Sequence, residues 1–241
     1  MHATSVLLAI LLSAPSPNAP VRSPETFWQR ILRITGITVT PSTSKGPVPE
    51  PAGGDLWLTT PEGRSRLRLT RDGGYQSPIF FPDGRSVLAL REGNLVRVST
   101  AGFLDPEPLF AIAGVIRLVG FDRESPGKVV ALTRGANGIL DLGILDLADR
   151  EVRSMRPESP DAEYRDVLAR LAHWDLAWQL SEQQRIVRLE VRPAARGSDV
   201  FLLREDVAPV EVSHCGGDRC DQPSLSTDGR TVVFVRAVAL R

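Results

Sequence analysis

The sequence repeats one phrase, and this repetition constrains its fold more than any other feature. SPIFFPDGRSVLAL, residues 77–90, consists of an apolar run, a Pro-Asp-Gly turn and a second apolar run. PSLSTDGRTVVFV, residues 223–235, follows the same plan, and Asp228-Gly229 matches Asp83-Gly84 at an offset of 145 residues. One third of that offset, about 48 residues, is a typical length for one unit of a repeat protein. The spacing therefore predicts two degenerate copies between the clear ones.

Two weaker copies lie where the spacing predicts them. In 118–133 the turn is supplied by Pro126-Gly127-Lys128, and in 178–192 the stretch 181–184 replaces it. The first three copies are each followed by two more short runs of aliphatic and β-branched residues, a pattern typical of antiparallel strands. The sequence therefore predicts an all-β fold, a small β-propeller of four-stranded blades, of which about four can be counted.

The first and last strands of the repeat region are complementary. The last copy has two strands, whereas the first is preceded by an unmatched pair, DLWLTT (55–60) and RLRLT (66–70). If these pairs join, a ring closes without an open sheet edge, so we expect the N-terminal strands to complete the last blade. Two alternatives stay open: 27–40 forms a further degenerate blade, or the sheets form an open arc that is stable only within a larger assembly.

One insertion has a helical rather than a strand period. In 159–174, four apolar side chains recur at helical spacing after Pro160 and Asp161, which are typical of a helix start. These four are Tyr164, Val167, Leu168 and Leu171. We expect an amphipathic helix that packs on the rim of the propeller.

At this point the residues resemble a known family. Residues 53–102, GGDLWLTTPEGRSRLRLTRDGGYQSPIFFPDGRSVLALREGNLVRVSTAG, resemble the WD40-like, TolB-type β-propeller repeat (PD40). Repeats of that family carry a Ser-Pro-Asp-Gly-like turn followed by an aliphatic strand, features that recur clearly at 222–236. The resemblance does not cover the first 50 residues or the helical insertion. It implies a propeller, although the family commonly has more blades than the four countable here.

The N-terminal region predicts export. Val6–Leu12 is too short to span a bilayer as a helix and has the length of a signal-peptide core, although no Lys or Arg precedes it. We therefore divide the chain into a signal peptide (1–20), a Pro-rich segment (21–52) and the propeller (53–241). The alternative for the first segment is a disordered or partly buried tail. The predicted location is periplasmic or secreted, with no integral membrane span.

Two cysteines, Cys215 and Cys220, lie close together in HCGGDRC. In an exported chain such a pair predicts a disulfide around a small loop, and the two glycines between them permit its tight path. Two free thiols, or a metal site that adds His214, are the alternatives. The metal site lacks a fourth ligand in a recognisable spacing.

Function is expected on the loops, because rigid strands position them. The loops on one side of the propeller connect successive blades and the middle strands of each blade. Their polar residues, which we call the loop face, have mixed charge and suit a protein–protein surface. The loop face comprises Arg71, Asp72, Tyr75, Arg134, Arg196, His214, Asp218, Arg219 and Asp221. For any single residue, an ordinary solvated loop position explains the sequence equally well.

Composition and motifs narrow the class of function. The chain has 29 basic and 29 acidic residues, which argues against a nucleic-acid partner. The turn residues Asp83-Gly84 and Asp228-Gly229 are predicted to be structural, since Gly accepts positive φ and Asp hydrogen-bonds the turn. We predict a non-catalytic exported propeller that binds a protein through its loop face, with no cofactor and no metal.

An enzyme is the alternative from another class. The chain has three histidines and neither a Gly-x-Ser-x-Gly nor a His-Glu-x-x-His motif. A cluster of His214, Asp218 and Asp221 would suit a lyase or a bound cation, and His173 with Asp161 or Asp175 would suit a serine hydrolase. The alternative function is therefore a propeller enzyme that acts on carbohydrate or peptide in the cell envelope.

Overall fold

The computed structural model describes residues 27–35, 37–39, 53–172, 178–182, 185–204 and 207–238. Strands contain 51% of the described residues. The described residues form the helices α1 (Phe27–Thr35) and α2 (Ala162–Ala172). The strands, in chain order, are β1 (Ile37–Val39), β2 (Asp55–Thr59), β3 (Arg66–Arg68), β4 (Tyr75–Phe80), β5 (Ser86–Arg91), β6 (Asn94–Ser99), β7 (Glu107–Ala111), β8 (Val115–Phe121), β9 (Lys128–Arg134), β10 (Leu140–Asp146), β11 (Glu151–Ser154), β12 (Trp178–Glu182), β13 (Arg185–Pro193), β14 (Ser198–Arg204), β15 (Val207–Glu211), β16 (Arg219–Leu225) and β17 (Val232–Ala237).

The strands group into four-stranded antiparallel sheets that are arranged like blades. Blade I is β4-β5-β6-β7 and blade II is β8-β9-β10-β11. Strand β5 is buried from Ser86 to Leu90 without a break, because both faces of blade I are covered. Val87 and Ala89 join the core with blade IV, whereas Leu88 and Leu90 join the core with blade II. A strand that is buried on both faces appears in the sequence as one continuous run of apolar residues.

Blade IV is built from both ends of the repeat region. Its order is β16-β17-β2-β3, and β17 pairs with β2 in antiparallel register. Val233 lies opposite Leu58, and Phe234 lies opposite Trp57. The predicted completion of the last blade by N-terminal strands is therefore confirmed.

Blade III is β12-β13-β14-β15, and β1 pairs with β12 as a fifth strand. The hypothesis that 27–40 forms a further blade is therefore wrong, because 27–35 is helical and only 37–39 is a strand. A single parallel bridge between Ser198 and Arg219 connects blade III to blade IV.

The blades follow one another in the order II, I, IV, III, with a separate apolar core at each junction. One face of blade II packs against blade I. The other face, with Val130, Leu132 and Leu142, packs against α1 and α2. Closure of the ring between blades II and III is not seen in the described part of the chain.

Helix α2 lies within the segment for which the sequence predicts a helix. Asp161 caps its N-terminus, since Oδ1 accepts a 2.8 Å hydrogen bond from the Tyr164 amide. Its four predicted apolar residues are all buried. They face blade II and α1, however, rather than the rim. Burial of the Tyr164 hydroxyl group and its hydrogen bond to Asp141 raise the pKa of Tyr164 to about 12.

The two predicted structural turns have the same geometry. Gly84 and Gly229 have φ of 67° and 69°, and each amide donates 2.9 Å to the carbonyl three residues earlier. Asp83 and Asp228 each accept a hydrogen bond from the amide two residues later, over 2.9 and 3.1 Å. The Ser226 hydroxyl group, which donates to Asp228, lowers the pKa of that carboxyl.

Candidate functional site

A cluster of three side chains fixes the loop that leads into blade I. Tyr75 is fully buried, and its hydroxyl group donates to Asp72 Oδ1 over 3.2 Å. Arg91 Nη1 donates to the same hydroxyl oxygen over 3.1 Å and forms an ion pair with Asp72. The Arg91 guanidinium carbon also lies 5.0 Å from the centroid of the Tyr75 ring. The exposed loop is thus attached to a buried aromatic residue.

The charges of this cluster have fixed protonation states at neutral pH. Burial raises the pKa of Tyr75, and the Asp72 charge acts in the same direction. Burial would also raise the pKa of Asp72, but hydrogen bonds and the Arg91 charge outweigh it and lower that pKa. Asp72 is therefore ionised and Tyr75 is neutral.

Blade IV has an equivalent anchor at Arg236, which the 145-residue offset aligns with Arg91. Its Nε and Nη2 lie 2.9 and 2.7 Å from Asp218 Oδ2. Nη2 also donates to the Cys215 carbonyl over 3.4 Å. The guanidinium carbon lies 5.1 Å from the Trp57 ring centroid, within cation–π range. Arg236 therefore connects the cystine loop (Cys215–Cys220) to both strands β17 and β2.

The cystine loop is closed by the predicted disulfide pair. Cys215 and Cys220 are bonded in the structure with their Cα atoms 6.3 Å apart, and both are buried. Gly216 and Gly217 have φ of 62° and 104°, so the path between the cysteines uses the left-handed region. Asp199 Oδ1 on blade III accepts a 2.7 Å hydrogen bond from the Cys215 amide.

The loop between β13 and β14 is packed against the cystine loop. A Cβ atom on Gly197 would stand 2.1 Å from the Asp218 carbonyl oxygen, so only Gly fits there. The amide of Ser198 donates to that carbonyl over 3.3 Å, and its hydroxyl donates to the Cys220 carbonyl over 2.8 Å. This close approach brings Arg196 beside the cystine loop.

Blades IV and I are joined on the same side by Gly54. A Cβ atom there would lie 2.4 Å from the Arg236 carbonyl oxygen. Gly54 also exchanges two backbone hydrogen bonds with Tyr75, of 3.0 and 2.9 Å. The loops of blades III, IV and I are therefore in contact with one another on this side.

A buried polar group connects the innermost strands of three blades. Ser77 and Gln222 both have left-handed φ, of 51° and 52°, and are related by the repeat offset of 145 residues. Gln222 Oε1 accepts a 2.6 Å hydrogen bond from the Ser77 amide. The Ser77 hydroxyl group accepts from the Leu118 amide over 2.7 Å and donates to the Leu118 carbonyl over 3.1 Å.

Beside this group lies a buried carboxylate. Asp221 Oδ2 is 2.6 Å from Arg219 Nε. Burial raises the pKa of Asp221, and the charges of Arg219 and Arg117 only partly offset this effect. Arg117 is itself buried and donates to the Leu171 carbonyl at the end of α2 over 2.7 Å. These groups lie in the interior between the blades.

The structure divides the predicted loop-face residues by exposure. Tyr75 and Asp221 are buried, so their side chains do not contribute to an exposed surface. Asp218 and Arg219 are partly exposed. The remaining members are exposed: Arg71, Asp72, Arg134, Arg196 and His214.

The cluster that would favour an enzyme is not assembled. His214 Nδ1 lies 3.3 Å from Glu211, Asp218 pairs with Arg236, and Asp221 pairs with Arg219. Among the described residues, no group of three His, Cys, Asp or Glu could hold a metal ion. His173 and Asp175 lie outside the described residues.

Sequence reasoning missed the two arginine anchors and the buried polar group. The alignment of Arg91 with Arg236 was visible in the repeat. Their acidic partners, Asp72 and Asp218, do not align, because the spacing between them is one residue longer than the repeat offset. Ser77 and Gln222 also align, but their different side chains hide a shared backbone conformation.

The comparisons with known proteins give distant structural likenesses. No family model and no curated protein matches the chain. The chain is similar to the structure of a putative TolB from Agrobacterium tumefaciens, with 17% sequence identity and a TM-score of 0.38. The match covers 74% of this chain and 60% of that one. It is also similar to TolB from Acinetobacter baumannii at 11% identity and a TM-score of 0.36, covering 77% and 64%.

A third structure is the β-propeller domain of the Trilobed protease from Pyrococcus furiosus, at 11% identity and a TM-score of 0.27, covering 72% of this chain and 65% of that one. The chain thus spans less than two thirds of each of these structures. At such TM-scores they assign neither a family nor an activity to this chain. The description of its blades rests on its own sheets.

Proposed function

We propose that this protein is a non-catalytic, exported propeller that binds another protein through its loop face. The observation that carries the proposal is the attachment of exposed loops to partly buried arginine anchors. The loop containing Asp72 is held by Arg91, and the loop containing Asp218 is held by Arg236 and the disulfide. A surface ordered before binding loses little conformational entropy when a partner docks.

The exposed charges indicate the chemistry of the partner. Arg71, Arg134 and Arg196 are exposed, whereas the neighbouring carboxylates of Asp72 and Asp218 are paired with Arg91 and Arg236. The charges left for a partner are therefore mainly guanidinium groups, which bind carboxylates in a planar fork. The partner surface is expected to be acidic and polar.

The disulfide supports an oxidising compartment such as the periplasm or the extracellular space. Among the described residues, no helix is long and apolar enough to cross a membrane. The signal peptide predicted at 1–20 lies outside the described residues and stays a prediction, which N-terminal sequencing of the mature chain tests.

Site-specific photo-crosslinking tests the proposed surface. A benzophenone amino acid replaces Arg71 or Arg196 on the loop face, and the labelled chain is irradiated in an envelope extract of the source organism. Matched controls replace Arg85 or Arg230, which are also exposed but lie in the turns at the opposite end of the strands. We expect one protein to crosslink from both loop-face positions and from neither control.

The same adduct from all four positions, or none from the loop face, would contradict the proposal. A purified partner then allows a direct measurement. Arg196→Glu should weaken binding more than Arg230→Glu, because only the former places a repelling charge on the surface.

The open arc is a second candidate, since the described residues do not show closure between blades II and III. An arc that is stable only in an assembly predicts a thermal midpoint that rises with protein concentration. A monomeric mass with a concentration-independent midpoint would contradict the arc. The enzyme alternative stays a prediction. Unchanged turnover after His214→Ala and Asp218→Asn would show that neither residue is catalytic.

A further inference from the structure

The outermost strands of the described blades differ in the features that prevent pairing with a further strand. The outermost strands β7 and β15 contain Pro108 and Pro209, which cannot donate a backbone hydrogen bond. In β11, Arg153 lies 3.1 Å from Glu151, so this edge carries its own paired charges. Strand β3, Arg-Leu-Arg, has neither a proline nor an acidic residue.

Within the described part of the chain, β3 has a strand neighbour on one side only, β2, so its other backbone edge is open. The Leu69 amide donates to the Leu56 carbonyl over 2.8 Å, and Leu67 lies opposite Leu58. Because successive residues of an antiparallel strand point their backbone groups in opposite directions, those of Arg66 and Arg68 point away from β2. Two amides and two carbonyls are therefore directed to the free edge.

The two faces of β3 differ in chemistry. Arg66 and Arg68 share one face. Arg66 donates to the backbone carbonyl of His214 over 3.0 Å, and Arg68 lies 2.6 Å from the Asp55 carboxylate. Among the described residues, no carboxylate pairs with Arg66, so its charge is not neutralised. Because Asp55 is paired with Arg68, the net positive charge of this face comes from Arg66.

The other face is apolar. Leu67 is 41% exposed and approaches Gly102 of blade I, where a Cβ atom would lie 3.0 Å from Leu67 Cδ2. The next two residues, Phe103 and Leu104, are 82% and 59% exposed. Exposed apolar residues on adjoining segments, as here on β3 and after Gly102, are typical of an interaction site.

We propose that β3 accepts an extended segment of a partner protein as an added strand, and that this segment alternates acidic and apolar residues. Alternate side chains of an added strand point to opposite faces. Its acidic residues would then lie beside Arg66 and Arg68, and its apolar residues beside Leu67, Phe103 and Leu104. Backbone pairing supplies the affinity and the alternation supplies the specificity.

The charges disfavour a second copy of this chain as the occupant. Antiparallel pairing of β3 with another β3 places Arg66 opposite Arg68, or an arginine opposite itself. Like charges directly opposite each other destabilise a strand pair. The site adjoins the loop face, since Arg66 contacts the His214 carbonyl, but its test uses a peptide and edge variants that leave the loop-face side chains in place, so either proposal can fail without the other.

A peptide titration tests the proposal with the full chain. The probe is a fluorescein-labelled peptide of six residues that alternates Glu and Val, and the control peptide has the same composition with three Glu followed by three Val. Fluorescence anisotropy is measured up to about 1 mM protein, which detects weak binding. We expect saturable binding of the alternating peptide and at least about tenfold weaker binding of the control.

Two substitutions of Arg66 distinguish the contribution of backbone pairing to binding from the contribution of the side-chain charge. Arg66→Pro removes an edge amide that does not bond to β2, whereas Arg66→Gln removes the charge and keeps the amide. We expect about tenfold weaker binding for the proline variant and a smaller, salt-dependent loss for the glutamine variant. Phe103→Ser should also weaken binding, whereas Val207→Ser, at another exposed apolar residue, should not.

Three results would overturn the proposal. One is equal binding of both peptides, and the second is unchanged binding after Arg66→Pro in a protein with wild-type circular dichroism. The third is self-association of the chain that Arg66→Pro abolishes, because the occupant would then be a second copy.

Discussion

A substitution at Leu56 tests whether the two ends of the repeat region complete one blade. Leu56 on β2 is fully buried at the junction of blades IV and I, whereas Leu67 on the adjacent strand is 41% exposed. Replacing each by Ala makes the same chemical change in two different environments. If β2 is an inner part of blade IV, only the first change should be costly.

The expected cost follows from the atoms removed. Leu56→Ala deletes three buried carbon atoms, worth about 2.4 kcal/mol at about 0.8 kcal/mol each. The cavity that remains adds to this loss, so we expect about 3 kcal/mol. Leu67→Ala should cost less than about 1 kcal/mol, because this side chain is only partly removed from water.

Urea unfolding followed by circular dichroism measures both values, and thermal unfolding provides a second measurement. A loss of about 3 kcal/mol corresponds to a decrease in Tm of about 6–12 °C for a chain of this size. Equal costs for the two substitutions would refute the position of β2 between β17 and β3, and with it the pairing of Leu58 with Val233.

Three further predictions concern other parts of the fold. Replacing both Cys215 and Cys220 by Ser should lower the free energy of unfolding by about 2 kcal/mol, as expected for a loop this short; mass spectrometry before and after reduction of the wild type checks the bond itself. Because the folded-state pKa of Asp221 is raised, its ionisation should lower stability as the pH rises from about 4 through that pKa; urea midpoints across this range should show a decrease that Asp221→Asn removes, and an identical profile would contradict it. Gly84→Ala should cost about 1 kcal/mol because of its positive φ, whereas Gly127→Ala, with open space around its Cα, should be nearly neutral in the same unfolding assay.

The repeat made the blades predictable because each strand pair carries its own turn. Asp83-Gly84 and Asp228-Gly229 mark the inner turns, and the apolar alternation on either side sets the register. The pairing of β2 with β17 was predictable for the same reason, since each pair of strands lacked its complement.

The covering of blade II was not predictable in this way. The segment containing Ile31 and Ile34 is rich in β-branched residues and reads as a strand, yet it forms α1 because it packs on α2 and blade II. Local propensity is weaker than tertiary packing over so few residues. The exposed and buried members of the loop face were also indistinguishable in sequence, since burial of Tyr75 depends on Arg91 and Gly54.

The pairing of β2 with β17 has a consequence for the order of events during folding. Until Val233 and Phe234 have been synthesised, β2 can pair only with β3, and its other edge has no strand partner. A ribosome-bound chain therefore exposes an unpaired apolar strand edge while blades I, II and III are being synthesised. We expect holdase chaperones to bind residues 55–60 in nascent chains, and release to coincide with the appearance of β17.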